Sequence, residues 1–315
     1  MLPSMGSGRN SLTGRAMENK DSRPSGVLRP GSGREQEIRW LTDDQQEHPA
    51  TLLGRPEVPS PIAVLGRILP ADRNAVAVVG TRSASQYGEA VARRLARALA
   101  RRGVTLVSGG AYGIDRVSHE AALQAGGRTI AVLGEGLAAP HSASDPELLA
   151  RIAESGAVIS EFSLTAPPKR WQFPRRNRTI AAMAERVVVI EAPEQSGALI
   201  TAEWARKLQR PVFAVPGPID LAGTVGPHRL IREGAALLDD IEAFVGRTRP
   251  GPGCRAQPGP VAAELLGLLR GGATSVDDVA AALGIAAPAA AIRLLELELL
   301  GEVRRQPGGL YEAAE

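Results

Sequence analysis

Between Val76 and Gly217 the chain alternates short β-branched runs with longer amphipathic ones, and this alternation leaves few folds open. The segments 76–80 (VAVVG), 104–110 (VTLVSGG), 128–136 (RTIAVLGEG), 157–162 (AVISEF), 186–192 (RVVVIEA) and 211–217 (PVFAVPG) read as strands. They are apolar at successive positions, as strands buried on both faces must be. The segments between them carry helical spacing. In 89–103, Val91, Leu95 and Leu99 share one side and arginines the other. Segments 111–127, 146–155 and 196–210, and a run from Asn177, repeat the pattern. Strands joined through helices predict an α/β fold, an extended Rossmann-like parallel sheet with helices on both faces and right-handed crossovers, over residues 76–246.

In such a sheet, ligands sit beyond the C-terminal strand ends, at the loops that open helices. Those loops are GTRSASQYG (80–88), SGGAYGID (108–115), GEG (134–136), SEF (160–162), EAPEQSGA (191–198) and PGPID (216–220). Glycine lets a phosphate approach the backbone, and free N–H groups at a helix start favour an anion. Tight strand–helix turns need glycine in any case, so it is their number on one rim that points to a phosphate-binding ledge. Arg82 is the natural cation for it, and Asp115 is either a helix cap or a ligand contact. SGGAYG has the wrong spacing for GxGxxG and GxxxxGK[ST] is absent, which speaks against dinucleotide and ATPase chemistry.

The second constraint is APPKRWQFPRRNRTIAAM (166–183), in which five of the ten residues from Lys169 to Arg178 are cationic and Trp171 and Phe173 stand among them. Cations interleaved with aromatics, in a loop ahead of a helix, suit single-stranded nucleic acid: phosphates meet the cations and unstacked bases meet the rings. The plainer reading is a solvated basic loop whose two rings anchor it to the core, and the stretch alone leaves both open.

Net charge is only +3, so nucleic-acid binding requires a local patch. One cysteine, Cys254, excludes an intrachain disulfide framework, and four scattered histidines give no zinc spacing. No apolar run reaches transmembrane length, and a signal-peptide core is missing, so a cytoplasmic protein without cofactor or membrane contact is expected. Residues 1–36, rich in Gly, Ser, Arg and Pro, are expected to form a disordered tail, with Met5 and Met17 as alternative starts. Residues 37–75, broken by Pro49, Pro56, Pro59, Pro61 and Pro70, are expected to be an irregular lead-in. Residues 247–260 read as a Pro/Gly linker. Beyond it, 261–315 offers three short helices and a Pro-Gly-Gly hairpin, the outline of a winged helix. Its third helix sets Arg293 against Glu296 and Glu298, and residues 260–315 carry eight acidic against four basic side chains, so this module reads as a protein-contact or packing unit.

The motifs VAVVGTRSASQYG, LVSGGAYGIDRVSHEAAL, TIAVLGEGL, GAVISEF, FPRRNRTIAAM, VVVIEAPEQSGALITAEWA, VFAVPGPI and GPHRLIREGAALL, spanning 76–238, resemble the DNA-processing protein A (DprA/Smf) family in order and spacing. The combination of FPxRNR, a strand and SGALITA is specific to it. The resemblance implies a non-enzymatic single-stranded DNA binder that protects incoming DNA in natural transformation and loads RecA recombinase, with single-strand binding protein as a further partner and a homodimeric state. Carried over by position, the DNA contacts would be Gly80, Arg82 and Ser85; Ser108, Gly109 and Gly113; Lys169, Arg170, Phe173, Arg175, Asn177 and Arg178; and Ser196 and Gly197. Arg82, Arg170 and Arg178 would take phosphates, Phe173 a base face, and Gly and Ser N–H groups backbone oxygens. The chain departs from the pattern at Gly110, Ala138–Ser144, Ser163 and His228, all expected to lie on loops.

The alternative is a Rossmann-like nucleotide-binding protein or a nucleoside-monophosphate hydrolase, the latter with a GGxGTxxE signature. If Thr201 takes the threonine position, Trp204 falls where the catalytic glutamate belongs and Glu203 is one residue off. One residue on a helix is a turn of about 100°, too far for a general acid/base.

Overall fold

The computed structural model describes residues 37–55, 57–58, 60–139, 144–249, 260–272, 274–299 and 303–313. The expected tail (1–36) and most of the expected linker, Cys254 included, lie outside the described residues.

The strands are β1 (Arg39–Leu41), β2 (Ile62–Gly66), β3 (Val76–Val79), β4 (Leu106–Ser108), β5 (Thr129–Leu133), β6 (Ala157–Ser160), β7 (Arg186–Val189), β8 (Val212–Ala214) and β9 (Ala236–Leu237). The helices among them are α1 (Gln86–Arg101), α2 (Ile114–Gln124), α3 (Pro146–Ser155), α4 (Gln172–Met183), α5 (Gly197–Lys207), α6 (Val225–Arg232) and α7 (Ile241–Gly246). All nine strands join one sheet in the order β1-β2-β6-β5-β4-β3-β7-β8-β9. From β6 to β9 every pairing is parallel, while β2 pairs antiparallel with both β1 and β6.

Alternate residues of β3 point to opposite faces, and both faces are covered. Val76 and Val78 pack with Leu95, Leu99, Ile114 and Phe244, from α1, α2 and α7. Ala77 and Val79 pack with Ile180, Met183, Leu199 and Ala202, from α4 and α5. Leu148, Leu149 and Ile152 of α3 cover Ala131 and Leu133. This two-sided burial is the physical reason the strands read as unbroken apolar runs.

Two expectations are corrected. The lead-in is not irregular throughout, because β1 and β2 extend the sheet, and Ile62–Leu65 is 1 % exposed or less. Its prolines misled because Pro61 precedes IAVLG and Pro70 follows it, so none interrupts the ladder. The lead-in is also tied down at the other end of the sheet. Asp72 accepts from Arg128 Nε and Nη2 at 2.7 and 2.8 Å and from Thr105 Oγ1 at 2.8 Å, all buried. Second, the basic stretch is not a loop up to Asn177. Helix α4 begins at Gln172, and Pro174 sits in its first turn, where its missing N–H leaves no hydrogen bond unmade.

The C-terminal unit has its own core. Leu265, Leu269, Val279, Leu294, Val303 and Tyr311 pack together from α8 (Pro260–Leu269), α9 (Val276–Leu283), α10 (Ala287–Leu299), β10 (Val303–Gln306) and β11 (Leu310–Ala313). Strands β10 and β11 pair antiparallel around the Pro-Gly-Gly turn, and three helices with this hairpin form a winged helix. Among the described residues no single helix is long and apolar enough to cross a membrane.

Candidate functional site

From β3 the chain steps outward through β4, β5 and β6, then returns across the sheet to place β7 on the other side of β3. The strand order therefore reverses between β3 and β7, and in sheets of this kind ligands sit beyond the C-terminal ends of the strands at such a point. The loops 80–85 and 190–196 flank this switch point, with 109–113 and 134–136 beside it.

Close backbone packing holds the loops in place. The Thr81 N–H donates to the Glu191 carbonyl at 2.7 Å, and the Ile114 N–H donates to the Thr81 carbonyl at 3.2 Å. Gly113 has φ +78°, and a Cβ there would collide with the Thr81 and Arg82 carbonyl oxygens. Only glycine fits both the backbone angle and the approach. A Cβ on Gly80 would lie 2.5 Å from Ile114 Cγ1, so this glycine seats the first loop on α2.

Phe173, in the first turn of α4, reaches back over the end of β5, where a Cβ on Gly134 would stand 2.9 Å from its ring. The Arg82 guanidinium lies 5.3 Å from the centre of that ring. An exposed cation and a half-buried aromatic from distant segments thus meet on the rim. Lys169 and Arg170 are exposed beside α4 and have no ion pair among the described residues.

Other predicted residues are already engaged. Arg175 and Arg178 both reach Glu161, at 3.2 and 2.6 Å, and the Glu161 side chain is 1 % exposed. Arg178, expected to face a phosphate, is therefore largely committed to an internal carboxylate, although two arginines on one glutamate leave a net positive charge. Asn177 Nδ2 donates to the Gly197 carbonyl at 2.9 Å, linking α4 to the start of α5, where Ser196 caps the helix by accepting from Ala198 N–H. Ser108 is fully buried and donates to the Val78 carbonyl at 2.6 Å. The rim N–H groups of Ser85 and Gly109 are not free for a ligand. Ser85 N–H and hydroxyl donate to Glu191, and Gly109 N–H donates to Asp115 Oδ2 at 3.1 Å. Buried backbone donors need partners, and carboxylates supply them here.

The residue that sequence reasoning missed is Arg176. Its side chain is buried, donating from Nη1 to the carbonyls of Gly109 and Val132 and from Nε to Asn177 Oδ1 at 3.1 Å. Arg176 and Asp115 both crowd Gly109, where a Cβ would lie 2.7 Å from each. Burial pulls the Arg176 pKa down against the opposing charge of Asp115, and burial pushes the Asp115 pKa up. The signal was the spacing Phe173, Arg176, Asn177, Ile180, which is the inward face of a helix, but it is legible only once α4 is known to start at Gln172.

Arg176 also acts on His119 of α2, which is fully buried. Its Nδ1 bonds Thr129 Oγ1 at 2.7 Å, and because that hydroxyl donates to the Leu106 carbonyl, the imidazole is the donor. Nε2 has no partner, and burial followed by the Arg176 charge holds the pKa down to about 3. The folded state therefore binds fewer protons here than the unfolded chain below pH about 6.5. Stability is present above that pH and is lost as pH falls toward 3. Asp115, with its raised pKa, titrates in the opposite sense and offsets part of the loss. The expected result is that His119→Asn flattens the dependence, the wild type losing up to about 1.4 kcal/mol per pH unit more than the variant between pH 6 and 4. Urea unfolding at stepped pH measures this; parallel curves would exclude it.

Trp204 packs against the core under Lys207 Nζ, 4.8 Å from its ring, and Glu203 is exposed.

The fold is thus a doubly wound α/β sheet with a cation–aromatic pair at its switch point, followed by a small winged helix. Residues 39–249 match the family described as DNA recombination-mediator protein A, and residues 250–309 match the DprA winged helix domain. The chain belongs to the DprA/Smf family. It is 40% identical over 283 residues to Protein Smf of Escherichia coli, covering 84% of this chain and 75% of that protein. It is 43% identical over 244 residues to a DprA protein of Mycobacterium tuberculosis, covering 73% of this chain and 62% of the relative. Among solved structures, Streptococcus pneumoniae DprA superposes with TM-score 0.61 at 34% identity, covering 68% of this chain and 75% of that one. Helicobacter pylori DprA, whose structure concerns its single-stranded DNA binding mode, gives TM-score 0.58 at 27% identity over 67% and 95% of the two chains.

Proposed function

We propose that this protein binds single-stranded DNA without sequence preference, through the rim at the switch point, and accompanies it into recombination. The observation that carries this reading is the Arg82–Phe173 pair beside exposed Lys169 and Arg170. A ring offers a face to any base and the cations meet any phosphate, so nothing in the set reads a base edge. The single-strand binding of the Helicobacter relative supports it. We extend the reading, on family grounds, to a cytoplasmic homodimer that protects incoming DNA in transformation and passes it to RecA in the presence of single-strand binding protein. We read the protein as a binder and not a hydrolase, because by position Trp204 stands where a catalytic carboxylate would be needed and Glu203, one residue off, is exposed on α5.

Fluorescence anisotropy with labelled single- and double-stranded oligonucleotides tests the binding step. Single strands are expected to bind preferentially, with log K falling against log salt at a slope of about −2 to −3, corresponding to roughly three or four phosphate contacts. Equal affinity for duplex, or a slope near zero, would remove the reading. Cleavage of a free mononucleotide would replace it with the enzyme.

A further inference from the structure

We propose that Trp171 is a second base-stacking platform, so that a bound strand runs from Phe173 across Trp171, alongside Lys169 and Arg170, and not toward Tyr112. The inference rests on the single-strand reading of the rim and adds a footprint and a direction to it.

Two large aromatics stand exposed on the segments that border the rim, Trp171 ahead of α4 and Tyr112 ahead of α2. Trp171 immediately precedes α4 and is 55% exposed; Tyr112 lies in the loop before α2 and is 48% exposed. A tryptophan that served only to anchor the loop would be largely buried, since its apolar area is what anchors. Instead the indole is held edge to face with buried Phe162, ring centres 5.8 Å apart and planes at 82°, with more than half its surface left in solvent. Its angle is fixed without its being covered, which is what a stacking platform requires.

The surrounding charges distinguish the two rings. Both have an arginine about 6.0 Å from the ring centre, Arg175 over Trp171 and Arg116 over Tyr112. Arg116 is held by two carboxylates, Glu120 at 2.8 Å and Asp145 at 3.2 Å, so the Tyr112 side carries a local excess of negative charge. Arg175 shares the single carboxylate of Glu161 with Arg178, and Lys169 and Arg170 add two further charges, so the Trp171 side is strongly positive. A nucleotide stacked on Trp171 would find cations for its phosphates, whereas one on Tyr112 would meet carboxylates. Like charge on the Tyr112 side steers the strand away.

The test is anisotropy with a labelled dT oligonucleotide. Trp171→Ala is expected to weaken binding about 5- to 30-fold and Trp171→Phe to restore most of it, with Tyr112→Ala within about twofold of wild type. In a Trp40→Phe/Trp204→Phe background, where Trp171 alone fluoresces, the dT strand should quench the emission and the blank polymer polyvinyl sulfate should not. Wild-type affinity in Trp171→Ala, or unquenched emission, overturns the platform; a Tyr112→Ala loss equal to that of Trp171→Ala overturns the direction. Neither result would touch the rim site itself, which stands or falls with Arg82 and Phe173.

Discussion

Replacing Arg82 and Phe173 together by alanine is expected to lower single-strand affinity by two to three orders of magnitude while leaving the fold intact. The magnitude follows from the parts. Base–aromatic stacking contributes about 1–3 kcal/mol per base, and a charge-assisted hydrogen bond to phosphate about 1.5–3 kcal/mol. A combined loss of about 3–4 kcal/mol is a factor of several hundred. The two side chains touch, with the guanidinium 5.3 Å from the ring centre, so their effects should not add. Arg82→Ala alone frees the ring face that the cation covers, and Phe173→Ala alone leaves the cation without its platform. A double-mutant cycle by anisotropy would show this coupling. Unchanged binding in the double variant, with a melting temperature within a few degrees of wild type, would place the DNA site elsewhere.

The second large effect separates two adjacent arginines. Arg176→Met should destabilise the protein by about 3–5 kcal/mol, because it strips a buried guanidinium from the carbonyls of Gly109 and Val132 and leaves Asp115 without its opposing charge. Arg175→Met should cost less than about 1 kcal/mol, since that side chain is 46% exposed and Glu161 retains Arg178. Denaturant unfolding of both variants decides the matter. Equal losses would mean that Arg176 is not the pin joining α4 to the ends of β4 and β5. The distinction also bears on DNA binding. Arg176 orders the rim from beneath and has little surface to offer a phosphate, so its loss should act through folding.

The alternation of apolar runs and amphipathic segments was enough to establish the α/β class, because a strand buried on both faces and a helix covering it leave different periodicities in the chain. The same reasoning located the rim, since ligand loops of such sheets follow from strand direction. FPxRNR and SGALITA were legible as a family pattern without any coordinates. Several matters were not written in the local pattern. Whether IAVLG forms a strand depends on β6 being there to pair with it, and prolines on either side hid that. Ser85 and Gly109 looked like free donors until Glu191 and Asp115, far along the chain or a turn away, were seen to take their N–H groups. Arg175, Arg176 and Arg178 are chemically alike in sequence, and only the register of α4 against the sheet sends one into the interior, two to Glu161, and leaves Arg82 to face Phe173. Periodicity records which side of an element is apolar; the partner that each polar group finds is set by segments distant in sequence, and only the tertiary structure brings those together.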